Sequence, residues 1–138
     1  MVGQDLEANL IEGCGEVLPR LAQRGIEHFN RGEYFEAHEW LELAWREEKR
    51  PIRELYRGIL QVGVAYHHLR RGNIRGATRL LERAEGWLAQ FPDVCQGVDV
   101  RGLRQDADRV RQALEENEVT GATVRIDLRP VSFQQTKE

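Results

Sequence analysis

Apolar residues recur with a helical period along most of this chain. In the first such segment, from about Glu16 to Arg31, they follow the spacing i, i+3, i+4, i+7, i+8, i+11 of one buried helix face. Four further segments with helical patterns lie at about residues 33–48, 51–71, 73–91 and 100–116. Gly32 and Gly72 stand at two of the breaks, where glycine commonly ends a helix. The pattern predicts five helices.

The two glycine breaks belong to a longer internal similarity. Residues 31–45 and 71–85 share Arg, Gly, Ala, Leu, Glu and Ala at equivalent positions, and each copy begins the second helix of a pair. Helix pairs of this kind bury their apolar faces against each other. The third helix is apolar on nearly every side and is expected to be the most buried. We predict an all-α fold, a compact bundle of about five helices built from two stacked helical hairpins.

The two ends of the chain have a different pattern. Residues 1–15 show little periodicity and are predicted to form a flexible N-terminal arm, whereas residues 16–118 form the bundle. The segment 119–138 is predicted to be an extended C-terminal tail. Within it Val124, Ile126 and Leu128 alternate with polar residues, which is the period of a strand. Such a strand either lies along the bundle or pairs with another copy of the chain.

The second helix carries ionisable groups where its apolar face is expected. At about 100° per residue, the large residues Tyr34, Phe35, Leu41 and Trp45 fall within about 60° of His38. Glu42 follows one turn after His38. Burying a carboxylate that has no hydrogen-bond or ion-pair partner costs a free energy on the order of several kcal/mol. We therefore expect His38 and Glu42 to form either a buried structural pair or a binding site.

If His38 and Glu42 form a binding site, residues of the second and third helices would complete it. Trp45 would contribute an aromatic wall. Tyr56 and Gln61, on the third helix, are expected to approach His38 or Glu42 across the hairpin. In the structural alternative, the imidazole and the carboxylate satisfy each other and need no ligand.

A metal site is the second possibility at the same place. His38 and Glu42 lie one helical turn apart, as ligands of helical metal sites do, and His67 of the third helix is a candidate third ligand for a divalent cation. Glu39 would then be the candidate catalytic base. The sequence H-E-x-x-E differs from the zinc-protease motif in its last residue, so a protease is not expected.

Trp40 and Leu43 lie on the opposite side of the second helix from the expected buried face. An exposed tryptophan is unusual unless another surface covers it. We therefore predict contact with a second copy or another protein through the Trp40 face, or through the C-terminal tail.

Composition narrows the function classes. The net charge of −3 gives no general attraction for nucleic acid or anionic membranes, although arginine outnumbers lysine 18 to 2. No apolar run approaches the length of a membrane span, and no signal sequence is evident at the start. Cys14 and Cys95 match no metal or redox spacing and are predicted to be reduced thiols in a cytoplasmic protein.

Three motifs resemble those of a known family. They are H-x-x-x-E-x-x-W at His38, Glu42 and Trp45, the run R-G-I-L-Q at 57–61, and a histidine preceding R-G-N at 71–73. Over about residues 22–91 the chain is similar to the family called domain of unknown function 309. The resemblance implies a small all-helical fold and a cytosolic protein, and it implies no activity. The favoured hypothesis is a protein-interaction or scaffold module; the alternative is a metal-binding or hydrolase-like protein using His38 and Glu42.

Overall fold

The computed structural model describes residues 11–120 and 126–134. Its elements in chain order are α1 (Arg20–Asn30), α2 (Tyr34–Glu47), α3 (Arg53–Arg70), α4 (Ile74–Leu88), β1 (Val94–Cys95), β2 (Val98–Asp99) and α5 (Val100–Thr120). The prediction of an all-α bundle of about five helices is confirmed. None of the described helices is long and apolar enough to cross a membrane.

The two similar segments begin with turns of the same conformation. Gly32, at φ +77°, and Gly72, at φ +79°, each follow a helix end in the left-handed conformation. The amide of the next residue donates back to a histidine carbonyl, Glu33 to His28 at 2.9 Å and Asn73 to His68 at 2.8 Å. This is the Schellman arrangement that ends a helix at glycine. It returns α2 along α1, and α4 along α3.

The bundle core forms around α3, which packs against α2 on one side and α4 on the other. Two glycines allow helices to approach closely. A Cβ added to Gly25 of α1 would lie 2.5 Å from Leu41 Cγ of α2, and one added to Gly58 of α3 would lie 2.6 Å from Leu88 Cδ2 of α4. The side chain of a leucine therefore fills the space above each glycine. α5 packs against α4 and closes the bundle.

The segment between α4 and α5, expected to be a plain linker, contains a small hairpin. β1 and β2 pair antiparallel, and Gln96 (φ 49°) and Gly97 (φ 75°) form the two-residue turn between them. Two successive positive φ values are the requirement of a type I′ turn. The side chain of Gln96 is buried, which ties the turn to the bundle.

The prediction that the cysteines are reduced thiols is wrong in this structure. Cys14 and Cys95 form a disulfide with their Cα atoms 4.6 Å apart, although 81 positions separate them in sequence. Spacing along the chain detects only local metal or redox motifs, whereas the fold brings the hairpin against the segment before α1. Residues 1–10 of the predicted N-terminal arm lie outside the described residues, and residues 11–15 are fixed by this disulfide.

The described part of the C-terminal tail lies extended along the bundle, which is one of the two alternatives expected for it. Val131 is buried, and its backbone exchanges two hydrogen bonds with the side-chain amide of Asn30, at 2.7 and 2.9 Å. Phe133 forms an isolated bridge with Val98 of β2. Ile126 and Leu128 pack against the core, and Val124, the first residue of the predicted strand, lies outside the described residues.

Candidate functional site

The orientation of α2 differs from the prediction. Its buried residues are Tyr34, Ala37, Leu41 and Ala44, whereas Phe35 is 58% exposed. The centre of this buried face is about 80° away from His38, on a helix of about 100° per residue. Two small alanines occupy the centre of the face because neighbouring helices approach there. The expectation that His38 lies in the middle of the buried face is therefore wrong.

His38 and Glu42 do pair, but they lie at the border of the buried face of α2 and are partly exposed to solvent. His38 Nε2 lies 3.2 Å from Glu42 Oε2, and the two side chains are 37% and 34% exposed. The other oxygen of Glu42 lies 2.6 Å from a guanidinium nitrogen of Arg46, one turn further on. The three side chains form a polar row along the edge of α2, in partial contact with solvent.

We predict that this row contributes little to stability. Glu42→Ala is expected to lower the free energy of unfolding by less than about 1 kcal/mol. The reason is that His38 and Arg46 are partly exposed, so water can solvate them when the carboxylate is removed. Urea denaturation of wild type, Glu42→Ala and the neutral isostere Glu42→Gln measures the effect. A loss of several kcal/mol in Glu42→Ala would show that the carboxylate is buried and strands His38 when removed.

The structure does not gather the predicted metal ligands. The ring of Phe35 lies near both histidines, with its centroid 6.5 Å from that of His38 and 6.3 Å from that of His67. Among the described residues, no group of three His, Cys, Asp or Glu side chains is placed to hold a metal ion. Glu39, the candidate catalytic base, is an exposed residue on the solvent side of α2. His38, Glu42 and His67 thus form no ligand set here.

Tyr56 and Gln61 have surroundings of their own. The hydroxyl of Tyr56 donates to Gln96 Oε1 at 2.6 Å, so it contacts the hairpin turn and not the His38 pair. Burial raises the pKa of Tyr56 well above its usual value and keeps the hydroxyl protonated as a donor. Gln61 Oε1 is a buried acceptor without a hydrogen-bond partner in the described part of the chain.

Trp45 belongs to a separate cluster of arginine and tryptophan side chains. Its indole Nε1 donates to Glu54 Oε1 at 3.2 Å, and the guanidinium of Arg53 lies 4.0 Å from the ring. Arg57 lies between the rings of Trp45, at 4.7 Å, and Trp87, at 4.5 Å. These cation–π contacts join α2, α3 and α4 and give Trp45 a structural role.

Trp40 forms the floor of a cleft against α1. Its ring is stacked with the imidazole of His28, at 6.4 Å and an angle of 8° between planes, and the guanidinium of Arg24 lies 5.1 Å from its centroid. The cleft has a volume of about 290 Å³ and is lined by Arg20, Gln23, Arg24, Glu27, His28, Arg31 and Trp40. The tryptophan that was expected to be uncovered is thus framed by basic side chains.

The cleft has an excess of positive charge. Arg20 and Arg24 are exposed, and neither forms an ion pair with any residue that the structure describes. Arg31 and His28 share the carboxylate of Glu33, at 3.0 and 2.8 Å, and the hydrogen bond from His28 is the main reason why the pKa of Glu33 is lowered. Glu27 is the only acidic residue among those that line the cleft.

Sequence reasoning missed these arginines, although a signal was present. Arg20, Arg24, His28 and Arg31 follow the spacing i, i+4, i+8, i+11, which places them along one side of α1. That side continues onto Trp40 only because α2 packs against α1 with Trp40 turned toward it. The sequence pattern does not predict which face of α1 packs against which face of α2.

The central part of the chain matches a known family model. Residues 22–80 match the model of "Domain of unknown function (DUF309)". An uncharacterized protein of Aquifex aeolicus is 29% identical over 83 residues, which is 59% of this chain and 25% of that protein. The uncharacterized protein YpuF of Bacillus subtilis is 42% identical over 57 residues, or 41% of this chain and 33% of YpuF.

The chain therefore spans only a quarter to a third of these longer relatives. The match covers α1, α2, α3 and the first half of α4, and within it the role of the H-x-x-x-E-x-x-W motif stays a prediction. The resemblance expected from the sequence is confirmed: residues 22–80 of the chain match the DUF309 family model.

Proposed function

We propose that the chain is a protein-interaction module whose Trp40 cleft binds an acidic segment of a partner protein. The observation that carries the proposal is a half-buried tryptophan floor flanked by Arg20 and Arg24, two exposed arginines without ion pairs to described residues. Tryptophan and arginine are the residue types that most often dominate binding energy at protein interfaces. Unpaired surface arginines add charge complementarity for carboxylates.

The dimensions of the cleft favour a peptide side chain over a separate small molecule. A volume of about 290 Å³ is at the lower limit of small-molecule pockets, and the lining is mostly polar. One apolar side chain seated against Trp40, with a carboxylate toward Arg20 and Arg24, fits this arrangement. The net charge of −3 does not favour a nucleic-acid partner.

No specific observation supports the metal-dependent alternative. Both oxygens of Glu42 already lie against cationic or imidazole nitrogen atoms, those of His38 and Arg46. The candidate third ligand, His67, belongs to no group of three His, Cys, Asp or Glu side chains that could hold a metal ion among the described residues. A ligand set at His38 would require several of these side chains to rearrange, whereas the Trp40 cleft requires no rearrangement.

A peptide-binding measurement tests the proposal directly. We expect a labelled peptide of alternating Glu and Leu to bind wild type in fluorescence polarisation, and its Gln–Leu counterpart to bind about tenfold more weakly or not at all. In Arg20→Glu/Arg24→Glu the affinity for the acidic peptide should fall at least about tenfold. Arg75→Glu/Arg79→Glu, with the same change of charge on exposed residues of α4, is the matched control and should bind like wild type.

Three results would contradict the proposal: equal binding of both peptides, equal losses in both double variants, or no binding by wild type. Sedimentation of wild type and Trp40→Glu addresses a second copy as the partner. A wild-type dimer that dissociates in Trp40→Glu, without acidic-peptide binding, would assign this face to self-association and overturn the acidic-segment proposal.

A further inference from the structure

The Cys14–Cys95 disulfide joins two segments that are distant in sequence. Cys14 lies in the segment before α1, and Cys95 lies in the hairpin between α4 and α5. Two hydrogen bonds also join these parts, from Gln96 N to Cys14 O at 2.7 Å and from Gln96 Nε2 to Gly13 O at 3.0 Å. The disulfide is the covalent part of this connection.

The two cysteines differ in burial. Cys95 is fully buried, whereas Cys14 is partly exposed. Cys14 opens onto a cleft of about 360 Å³ that is also lined by residues of the hairpin turn and by Gln134 of the tail. Cys95 is not among the residues that line this cleft, so a thiol that enters it meets Cys14.

We propose that the disulfide is a redox-exchange site for a dithiol reductant, attacked at Cys14, and that its reduction releases residues 11–17 from the hairpin. A thiolate of the dithiol bonds to Cys14 Sγ, the Cys14–Cys95 bond breaks, and Cys95 Sγ leaves and takes up a proton. The second thiolate of the dithiol then displaces Cys14, which is also protonated. The dithiol gives up two electrons and becomes a disulfide, and both cysteines become thiols.

The remaining contacts explain where release would stop. Leu18 is buried at 2% exposure and anchors the start of the bundle independently of the sulfur atoms. Before it, Glu16 is held by two hydrogen bonds from Arg50, at 2.8 and 2.9 Å, and more than half of its side chain is exposed. Such an exposed pair holds a segment weakly once the covalent link is lost. The mobile part would therefore end at Val17.

Release of this segment would change the surface beneath it. Gly13, at φ +95°, lies against Ile52 and the guanidinium of Arg50, and Ile52 is fully buried. Gln96, which accepts from the Tyr56 hydroxyl, donates to Gly13 and Cys14. Undocking would uncover one apolar side chain and one buried polar pair at this end of the bundle. In the reducing cytoplasm that we predict for the chain, such a disulfide belongs to the transient, redox-sensing kind.

Amide hydrogen exchange tests the release. In the full-length protein, titration with dithiothreitol should raise the number of free thiols from zero to two. The amides of Cys14, Glu16 and Gln96 should then exchange at least about tenfold faster than in the oxidised protein. Amides in the middle of α3 are the internal control and should be unchanged. Unchanged exchange at the three amides after reduction, or two free thiols that no oxidant converts to a disulfide in the folded protein, would overturn the proposal.

Trapping the first thiol adduct tests which sulfur is attacked. Folded, oxidised wild type is treated briefly with the monothiol 2-mercaptoethanol, quenched with acid and analysed by peptide mapping. The mixed disulfide should be at least about tenfold more abundant at Cys14 than at Cys95. Equal amounts at the two cysteines would contradict attack at Cys14.

Discussion

Cys14→Ala/Cys95→Ala is expected to lower the free energy of unfolding by about 2–4.5 kcal/mol, the largest loss that we expect from removing one bond. A cross-link between residues 81 positions apart restricts the unfolded chain strongly, and the chain-entropy relation gives about 4.5 kcal/mol for a loop of that length. Measured effects are commonly smaller, because native contacts adjust. Urea denaturation of the oxidised protein and the double variant measures the difference.

Reduced wild type separates the cross-link from the packing of the sulfur atoms. It keeps both side chains, including the fully buried Cys95, and lacks only the bond. We expect it to lose most of what the double variant loses. Equal stability of oxidised and reduced protein would mean that the bond does not restrict the unfolded chain. The redox-exchange proposal would then still be tested separately, because it concerns the docking of residues 11–17 and the cysteine that is attacked first.

Local rules were enough to predict the helices and their order. The glycines at 32 and 72 take positive φ values and end α1 and α3, as glycine after an apolar-periodic segment indicates. Asn73 accepts a hydrogen bond from the amide of Gly76 at 3.0 Å and begins α4 as a capping residue should. Each of these features depends on residues within one or two turns, so the sequence pattern contains the whole cause.

The rotation of α2 could not be read from large side chains alone. Ala37 and Ala44 are buried because α2 lies close to its neighbours, and a small residue is what close approach requires. The internal similarity did contain a signal: Ala37, Leu41 and Ala44 correspond to Ala77, Leu81 and Ala84, and all six are buried. The residues shared by the two copies mark the packed face, whereas His38, which corresponds to Thr78, lies beside it.

The disulfide and the Trp40 cleft depend on contacts between distant segments. Cys14 meets Cys95 only after the hairpin folds over the segment before α1. Likewise, Arg24 and His28 frame Trp40 only when α1 and α2 have packed at a given rotation. Helical periodicity gives the faces of each element but not which faces meet. The buried face of α2 was therefore predicted about 80° away from its observed position, while the prediction of a partner surface at Trp40 stays a proposal.

Leu41→Ala and Phe35→Ala should have very different effects on stability, although both remove a large apolar side chain from α2. Leu41 is fully buried and fills the space above Gly25, so its truncation leaves a cavity between α1 and α2 and is expected to cost about 2–5 kcal/mol. Phe35 is 58% exposed, and its truncation should cost less than about 1 kcal/mol. Urea denaturation of the two variants beside wild type measures both losses.

Phe35 is the matched control because the two possible rotations of α2 differ at that residue. If His38 occupied the centre of the buried face, Phe35 would be buried, and Phe35→Ala would cost as much as Leu41→Ala. Equal losses would therefore reject the observed rotation. The same result would remove the Trp40 cleft, since Trp40 meets Arg24 and His28 only when Leu41 faces Gly25. A large loss in Leu41→Ala alone would support both the packing of α2 and the surface proposed to bind the partner.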